Sequence, residues 1–77
     1  MEKQITDVII HTSKHLDDQQ FTELAEVVHK NEGVISFSRN ANAPQCLMLV
    51  YNAGKNQARN ILRSVTGAGV KAQLVGI

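Results

Sequence analysis

Two stretches of the chain carry apolar residues at the i, i+3, i+4, i+7 spacing that places them on one side of a helix. The first repeat consists of Phe21, Leu24, Ala25 and Val28, and the second consists of Ala58, Ile61, Leu62 and Val65. Asp17 stands at the N-cap position of the first helix, and Gln20 stands where a capping box needs its partner. Each helix therefore has a single apolar side, which must pack against another part of the chain.

Strand-like segments precede, separate and follow the two helices. We predict strands over 5–11, 34–39, 46–51 and 71–77, where β-branched runs or alternating apolar residues dominate. In the second strand Ile35 and Phe37 are expected on one face, with serines on the other. The third strand is apolar on both faces, which predicts that Met48 and Val50 lie on the side of the sheet away from the helices.

The predicted order β-α-β-β-α-β is that of the ferredoxin-like sandwich, an α+β fold. In this fold a four-stranded antiparallel sheet carries both helices on one face. A chain of 77 residues is long enough for one domain, over residues 1–77, and no more. Because a core of that size contributes only ~3–5 kcal/mol of net stability, burial of a further surface in an oligomer would stabilise the protein.

The cysteine count and the lack of long apolar runs narrow the classes of protein. One cysteine, Cys46, excludes an internal disulfide and a four-cysteine zinc site, and we expect it to be a small buried apolar side chain. The N-terminal residues do not have the pattern of a signal peptide, and no apolar run approaches the ~20 residues of a membrane span. We therefore expect a cytoplasmic protein that does not insert into membranes.

The charges are divided along the chain. All 7 carboxylates lie at or before Glu32, and every charged residue after it is basic. Lys55, Arg59 and Arg63 are four residues apart, which predicts a basic row on the outer surface of the second helix. This row is expected to dock an acidic protein partner, the alternative being that it only keeps the surface charged. Nucleic-acid binding is disfavoured, because aromatic residues that could stack on bases are only 4% of the chain.

A set of residues at expected core and turn positions runs from the end of the first helix to the end of the chain. It consists of Gly33-Val34, Leu49-Val50-Tyr51-Asn52, Ile61, Val65, Gly69 and Lys71-Ala72-Gln73-Leu74-Val75. In these residues the chain resembles the heavy-metal-associated domain, the module of copper chaperones, mercury-binding proteins and metal-pumping ATPases. The resemblance implies a ferredoxin-like fold.

In the family that the chain resembles, metal binds to a Gly-Met-x-Cys-x-x-Cys loop between the first strand and the first helix. This sequence has His-Thr-Ser-Lys-His at positions 11–15 instead, so the family's two thiolate ligands correspond to no residue here. Thiolates select soft ions such as Cu(I), and the ligand exchange that the resemblance implies has no obvious route without them.

The imidazoles of His11 and His15 are the candidates for holding a transition-metal ion at this loop, because neutral imidazole suits Zn, Cu(II) and Ni. Two imidazoles make an incomplete site, since tetrahedral zinc takes four ligands, or three and a water. Asp17, Asp18 or a second chain would have to complete it, and ordinary loop histidines are the alternative. No other cofactor is indicated.

These patterns together predict a non-enzymatic binding module with a fold like that of the heavy-metal-associated domain. Ser13 and His15 lack a third orienting group, so no catalytic residues are indicated. Contact with an acidic protein or with a second copy is expected, through the basic row or through Met48 and Val50. Weak imidazole-based metal binding at the loop is an addition to this function. The alternative is an ACT-like regulatory domain that dimerises and binds a small molecule.

Overall fold

The computed structural model describes residues 4–75, and its elements follow the predicted order. The strands are β1 (Ile5–Thr12), β2 (Val34–Asn40), β3 (Ala43–Asn52) and β4 (Ala72–Val75), and the helices are α1 (Asp18–His29) and α2 (Ala58–Gly67). The end of the predicted fourth strand, residues 76–77, lies outside the described residues. The β-α-β-β-α-β order is therefore confirmed.

The strands form one four-stranded sheet in the order β2-β3-β1-β4. All three pairings, β1 with β3, β1 with β4 and β2 with β3, are antiparallel. Each helix connects two strands that have a third strand between them, and right-handed crossovers of this kind put both helices on the same face. The structure is thus the predicted ferredoxin-like sandwich.

The core lies between the two helices and the inner face of the sheet, which is the face that the helices cover. Alternate strand residues point into it, and Ile10, Leu47 and Leu49 are fully buried. The helices contribute the buried side chains predicted from their apolar spacing, which are Leu24, Val28, Ile61 and Val65. Burying each such side chain contributes ~1.5–3 kcal/mol, so the helices are held chiefly by this face.

The start of α1 is fixed by the predicted capping box. The Asp17 carboxylate accepts a hydrogen bond from the Gln20 backbone N–H at 2.7 Å, and the Gln20 side chain accepts one from the Asp17 N–H at 3.0 Å. These two bonds satisfy backbone donors that the first turn of a helix leaves without partners. Neither α1 nor α2 combines the length and the apolar character needed to cross a lipid bilayer.

One prediction about β2 is wrong, because the strand contains an irregularity. The pairing register with β3 shifts between Val34 and Ser36, so Ile35 is an extra residue of the kind found in a β-bulge. Ile35 is 52% exposed, whereas Phe37 is buried, and the two do not share the inner face. Val34 instead packs against the core beside Phe37.

The third strand begins earlier than predicted, at Ala43 rather than at Cys46. Pro44 therefore lies inside the strand. The register between β2 and β3 shifts again between Arg39 and Asn40, next to this end of β3. Proline lacks the backbone N–H that a regular ladder would use. It is tolerated next to an irregularity of this kind, where the regular pairing is interrupted.

Candidate functional site

Strand alternation places the two candidate imidazoles in different surroundings. His11 lies near the end of β1 on the outer face of the sheet, which is the face opposite the helices, and it is half-buried. The next residue, Thr12, is fully buried, and its hydroxyl donates to the Lys14 carbonyl at 2.7 Å. His15 is exposed in the loop that follows. His11 thus belongs to the sheet surface and His15 to the β1–α1 loop.

The two histidines line separate depressions of the surface. His15 lines one of about 300 Å³ between the β1–α1 loop and the residues that follow α2. His11 lines a different one beside Lys71 and Gln73. Within residues 4–75 no group of three or more His, Cys, Asp or Glu side chains is placed to hold a metal ion.

The carboxylates that were candidates to complete a loop metal site have other partners. Asp17 is occupied in the capping box, and Asp18 forms an ion pair with Arg39. Arg39 also donates to the Leu16 carbonyl at 3.0 Å, and its guanidinium lies 4.9 Å from the centre of the Phe21 ring. This network ties the start of α1 to β2. His15 lines a surface depression together with Asp17 and Asp18, but both acids already have these partners.

The predicted basic row is only partly helical. Arg59 and Arg63 are four residues apart on α2 and are exposed, as expected. Lys55, however, lies in the turn between β3 and α2, so the prediction that all three residues stack on the helix is wrong for Lys55. In this turn the Asn52 carbonyl accepts hydrogen bonds from the backbone N–H groups of Lys55 and Asn56, and α2 begins only at Ala58, the first residue of the apolar repeat. We call Lys55, Arg59 and Arg63 the basic surface.

The outer face of the sheet carries exposed apolar side chains. The register places Ile9 between Met48 on β3 and Val75 on β4, and Val50 lies on the same face of β3. Met48 is 40% exposed and Val75 is 41% exposed, since both helices are on the other side. We call Ile9, Met48, Val50 and Val75 the apolar stripe. Met48 and Val50 lie on the outer face because the residues that alternate with them in β3, Leu47 and Leu49, are fully buried on the inner face.

The strand register also brings together two residues that sequence reasoning treated separately. Cys46 is the Cα partner of His11 across the β1–β3 pairing. It is a free thiol that is half-buried on the outer face, so the prediction of a small buried apolar side chain is wrong. The two residues are far apart in the sequence, so only the register of β1 against β3 could have revealed the pair.

The comparisons with known proteins agree with this architecture. No family model and no curated protein matches the chain. A crystal structure of oxidized MerP from Ralstonia metallidurans CH34 superposes with a TM-score of 0.81, covering 94% of this chain and 99% of that one. The chain has the fold of a heavy-metal-associated domain. The fold that the sequence resemblance implied is thereby confirmed.

A second solved structure supports the same heavy-metal-associated fold. It is a copper binding domain from HMA7, a P-type ATPase, with a TM-score of 0.79, and the match covers 97% of this chain and 96% of that one. Sequence identity is 11% to MerP and 12% to the HMA7 domain. At such identities the likeness concerns the fold alone, and the ligands of this chain must be argued from its own residues.

Proposed function

We propose that this chain is a non-enzymatic protein-binding module that associates with a second copy of itself through the outer face of its sheet. The observation that carries the proposal is the apolar stripe. An antiparallel sheet with one solvated face usually alternates apolar residues inside with polar residues outside. Here the centre of the outer face is apolar, and exposed apolar patches mark interaction surfaces.

The outer face of β1 is self-complementary, which favours a second copy as the partner. Along this strand Asp7 and His11 stand on either side of Ile9, all on the outer face. If two such faces meet with their β1 strands running in opposite directions, Asp7 of each copy faces His11 of the other. A two-fold arrangement of this kind repeats every contact twice.

The size of the face determines how tight the association is. β1 has 8 residues. With ~3.3 Å per residue and ~4.8 Å between strands, a face of four such strands covers roughly 500 Å². Stable complexes usually bury about 800 Å² per partner, so the proposed dimer is weak and reversible.

Sedimentation velocity over a range of protein concentrations tests this proposal. We expect reversible dimerisation, and we expect Val50→Glu to weaken it at least about ten-fold, because it puts a charge into an apolar interface. Thr22→Glu is the matched control, since it adds the same charge at an exposed position of α1, on the opposite side of the molecule from the outer face. It should leave dimerisation unchanged. A wild-type chain that stays monomeric at every concentration contradicts the proposal.

A second candidate is the docking of an acidic protein on the basic surface. Arg59 and Arg63 support it, because both are exposed on α2 and take part in no ion pair within residues 4–75. A polyglutamate peptide is a suitable probe, and its binding should weaken as salt is raised. The double variant Arg59→Glu with Arg63→Glu should abolish binding. A peptide that binds the double variant equally well argues against this surface.

The metal site at His11 and His15 stays a prediction that belongs to the same proposal. The copper binding domain of HMA7 has the same fold, which makes a transition-metal ion a reasonable ligand here. With two imidazoles in separate depressions, binding of Zn, Ni or Cu(II) should be weak. NMR titration with Zn should shift the resonances of both rings together. Shifts in neither ring at stoichiometric Zn would end the prediction.

The ACT-like alternative also stays a prediction. It requires a small molecule at a dimer interface, so it shares the expectation of self-association and differs in what stabilises the dimer. Dimerisation that strengthens when a panel of amino acids is added would favour the ACT-like function. Dimerisation that is unaffected by them favours the binding module.

A further inference from the structure

We propose that His11, Cys46 and Met48 together form a site for one soft monovalent metal ion, Cu(I), on the outer face of the sheet. This site differs in place and in ligands from the histidine pair at the β1–α1 loop. It does not depend on self-association, because all three residues belong to one chain.

The register of the central strands places the three residues next to one another on the outer face. His11 and Cys46 are direct partners across β1 and β3. Partners of this kind on one face have Cβ atoms about 4.5–5.5 Å apart. Met48 lies two residues further along β3, on the same face as Cys46, and is the diagonal neighbour of His11. Diagonal neighbours about 7–8 Å apart are within reach of long side chains.

The flexibility of the methionine side chain allows the sulfur to approach the other two ligands. Met48 has three rotatable bonds and is 40% exposed, so its thioether can turn toward an ion on the outer face. The rigid members of the cluster are His11 and Cys46, which sit on the two central strands. The sheet therefore fixes two ligands, and the third closes on the ion.

The donor set determines which ion fits. A thiolate, a thioether and an imidazole are the ligands that prefer Cu(I), whereas Mg and Ca prefer oxygen. In residues 4–75 no hydrogen bond occupies the side chain of His11 or Cys46, so both are available as ligands. Binding releases a proton from the Cys46 thiol as the sulfur becomes a thiolate, and the ion is neither oxidised nor reduced.

The site explains two features that the core does not use. Cys46 is half-buried on a surface although cysteine is among the most buried residue types. Met48 projects from the sheet beside it, where a polar residue would be better solvated. Together with His11 they make the outer face near this end of β1 and β3 a place where soft ligands converge.

The test is an anaerobic titration of the full chain with Cu(I) against a chromogenic Cu(I) chelator. We expect one Cu(I) per chain. Loss of a supporting residue outside the ligand shell typically costs 10–100-fold in metal affinity, so Cys46→Ser should cost at least about 100-fold. His11→Gln and Met48→Leu should each cost at least about ten-fold. Met48→Leu keeps the apolar stripe intact, so it removes the sulfur without removing the surface.

His29→Gln is the matched control, because it removes an imidazole from an exposed position outside the cluster. This variant should bind Cu(I) as the unchanged chain does, and X-ray absorption should show two sulfur ligands and one nitrogen. Equal affinity of Cys46→Ser or Met48→Leu and the unchanged chain would overturn the proposal. One Cu(I) bound per two chains would also overturn it. Val50→Glu separates this result from the dimer, since it disrupts the apolar stripe but removes no ligand.

Discussion

The two faces of the sheet differ although the same strands build both of them. On the inner face Leu47 and Leu49 are fully buried under the helices, whereas on the outer face Met48, which lies between them in the sequence, is 40% exposed. The inner face therefore determines the stability of the fold, and the outer face is free to bind. An apolar residue in β3 therefore contributes either to the core or to the outer surface, according to the face of the sheet on which it lies.

The largest expected effect is on the free energy of unfolding, and it differs between neighbouring residues of β3. Leu49→Ala should destabilise the protein by ~2–5 kcal/mol, because it leaves a cavity in the core. Met48→Ala on the opposite face should cost less than about 1 kcal/mol, as most exposed substitutions do. Chemical denaturation of both variants measures the difference. Equal losses would mean that something covers the outer face.

A smaller effect is expected at the end of β1, where the same comparison applies to adjacent residues. Thr12 is fully buried and its hydroxyl donates to the Lys14 carbonyl, whereas His11 faces outward. Thr12→Val should cost about 1 kcal/mol, the net value of one such hydrogen bond. His11→Gln should cost less than about 0.5 kcal/mol. If His11→Gln lowers the free energy of unfolding in urea by more than this, His11 contributes to the stability of the fold.

The smallest effect concerns Asp7 and His11, the polar side chains that flank the apolar stripe on β1. Asp7→Lys should weaken self-association, since it removes the carboxylate that faces the His11 imidazole of the other copy, and an exposed polar contact contributes about 0.2–1 kcal/mol. Adding His11→Asp should restore self-association, because the introduced lysine of each copy then faces the introduced carboxylate of the other. Sedimentation of the single and double variants measures this. If the double variant associates no better than Asp7→Lys alone, the two copies do not meet in the proposed orientation.

Local patterns were sufficient to predict most of the fold. The apolar spacing of both helices and the Asp17–Gln20 capping box depend on residues within a few positions of one another, and the structure confirms them. Lys55 was misplaced because the turn after β3 delays the start of α2. Ile35 was misplaced because the register shift depends on how β2 meets β3.

The candidate site could be predicted less well, because it depends on contacts between residues that are far apart in the sequence. Met48 and Val50 were assigned to the outer face from alternation, which is local. The pairing of His11 with Cys46 depends on the register of two strands that are far apart in the chain, and no local pattern encodes it. The structure supplies that register, and with it the cluster of soft ligands.

NMR spectra recorded at increasing protein concentration would show which surface the chain uses for self-association. The amide shifts that change with concentration should belong to the outer face, around Ile9, Met48 and Val75. The amide shifts of Arg59 and Arg63 should stay constant. Changes confined to α2, or none at any concentration, would contradict the claim that the outer face is the binding surface.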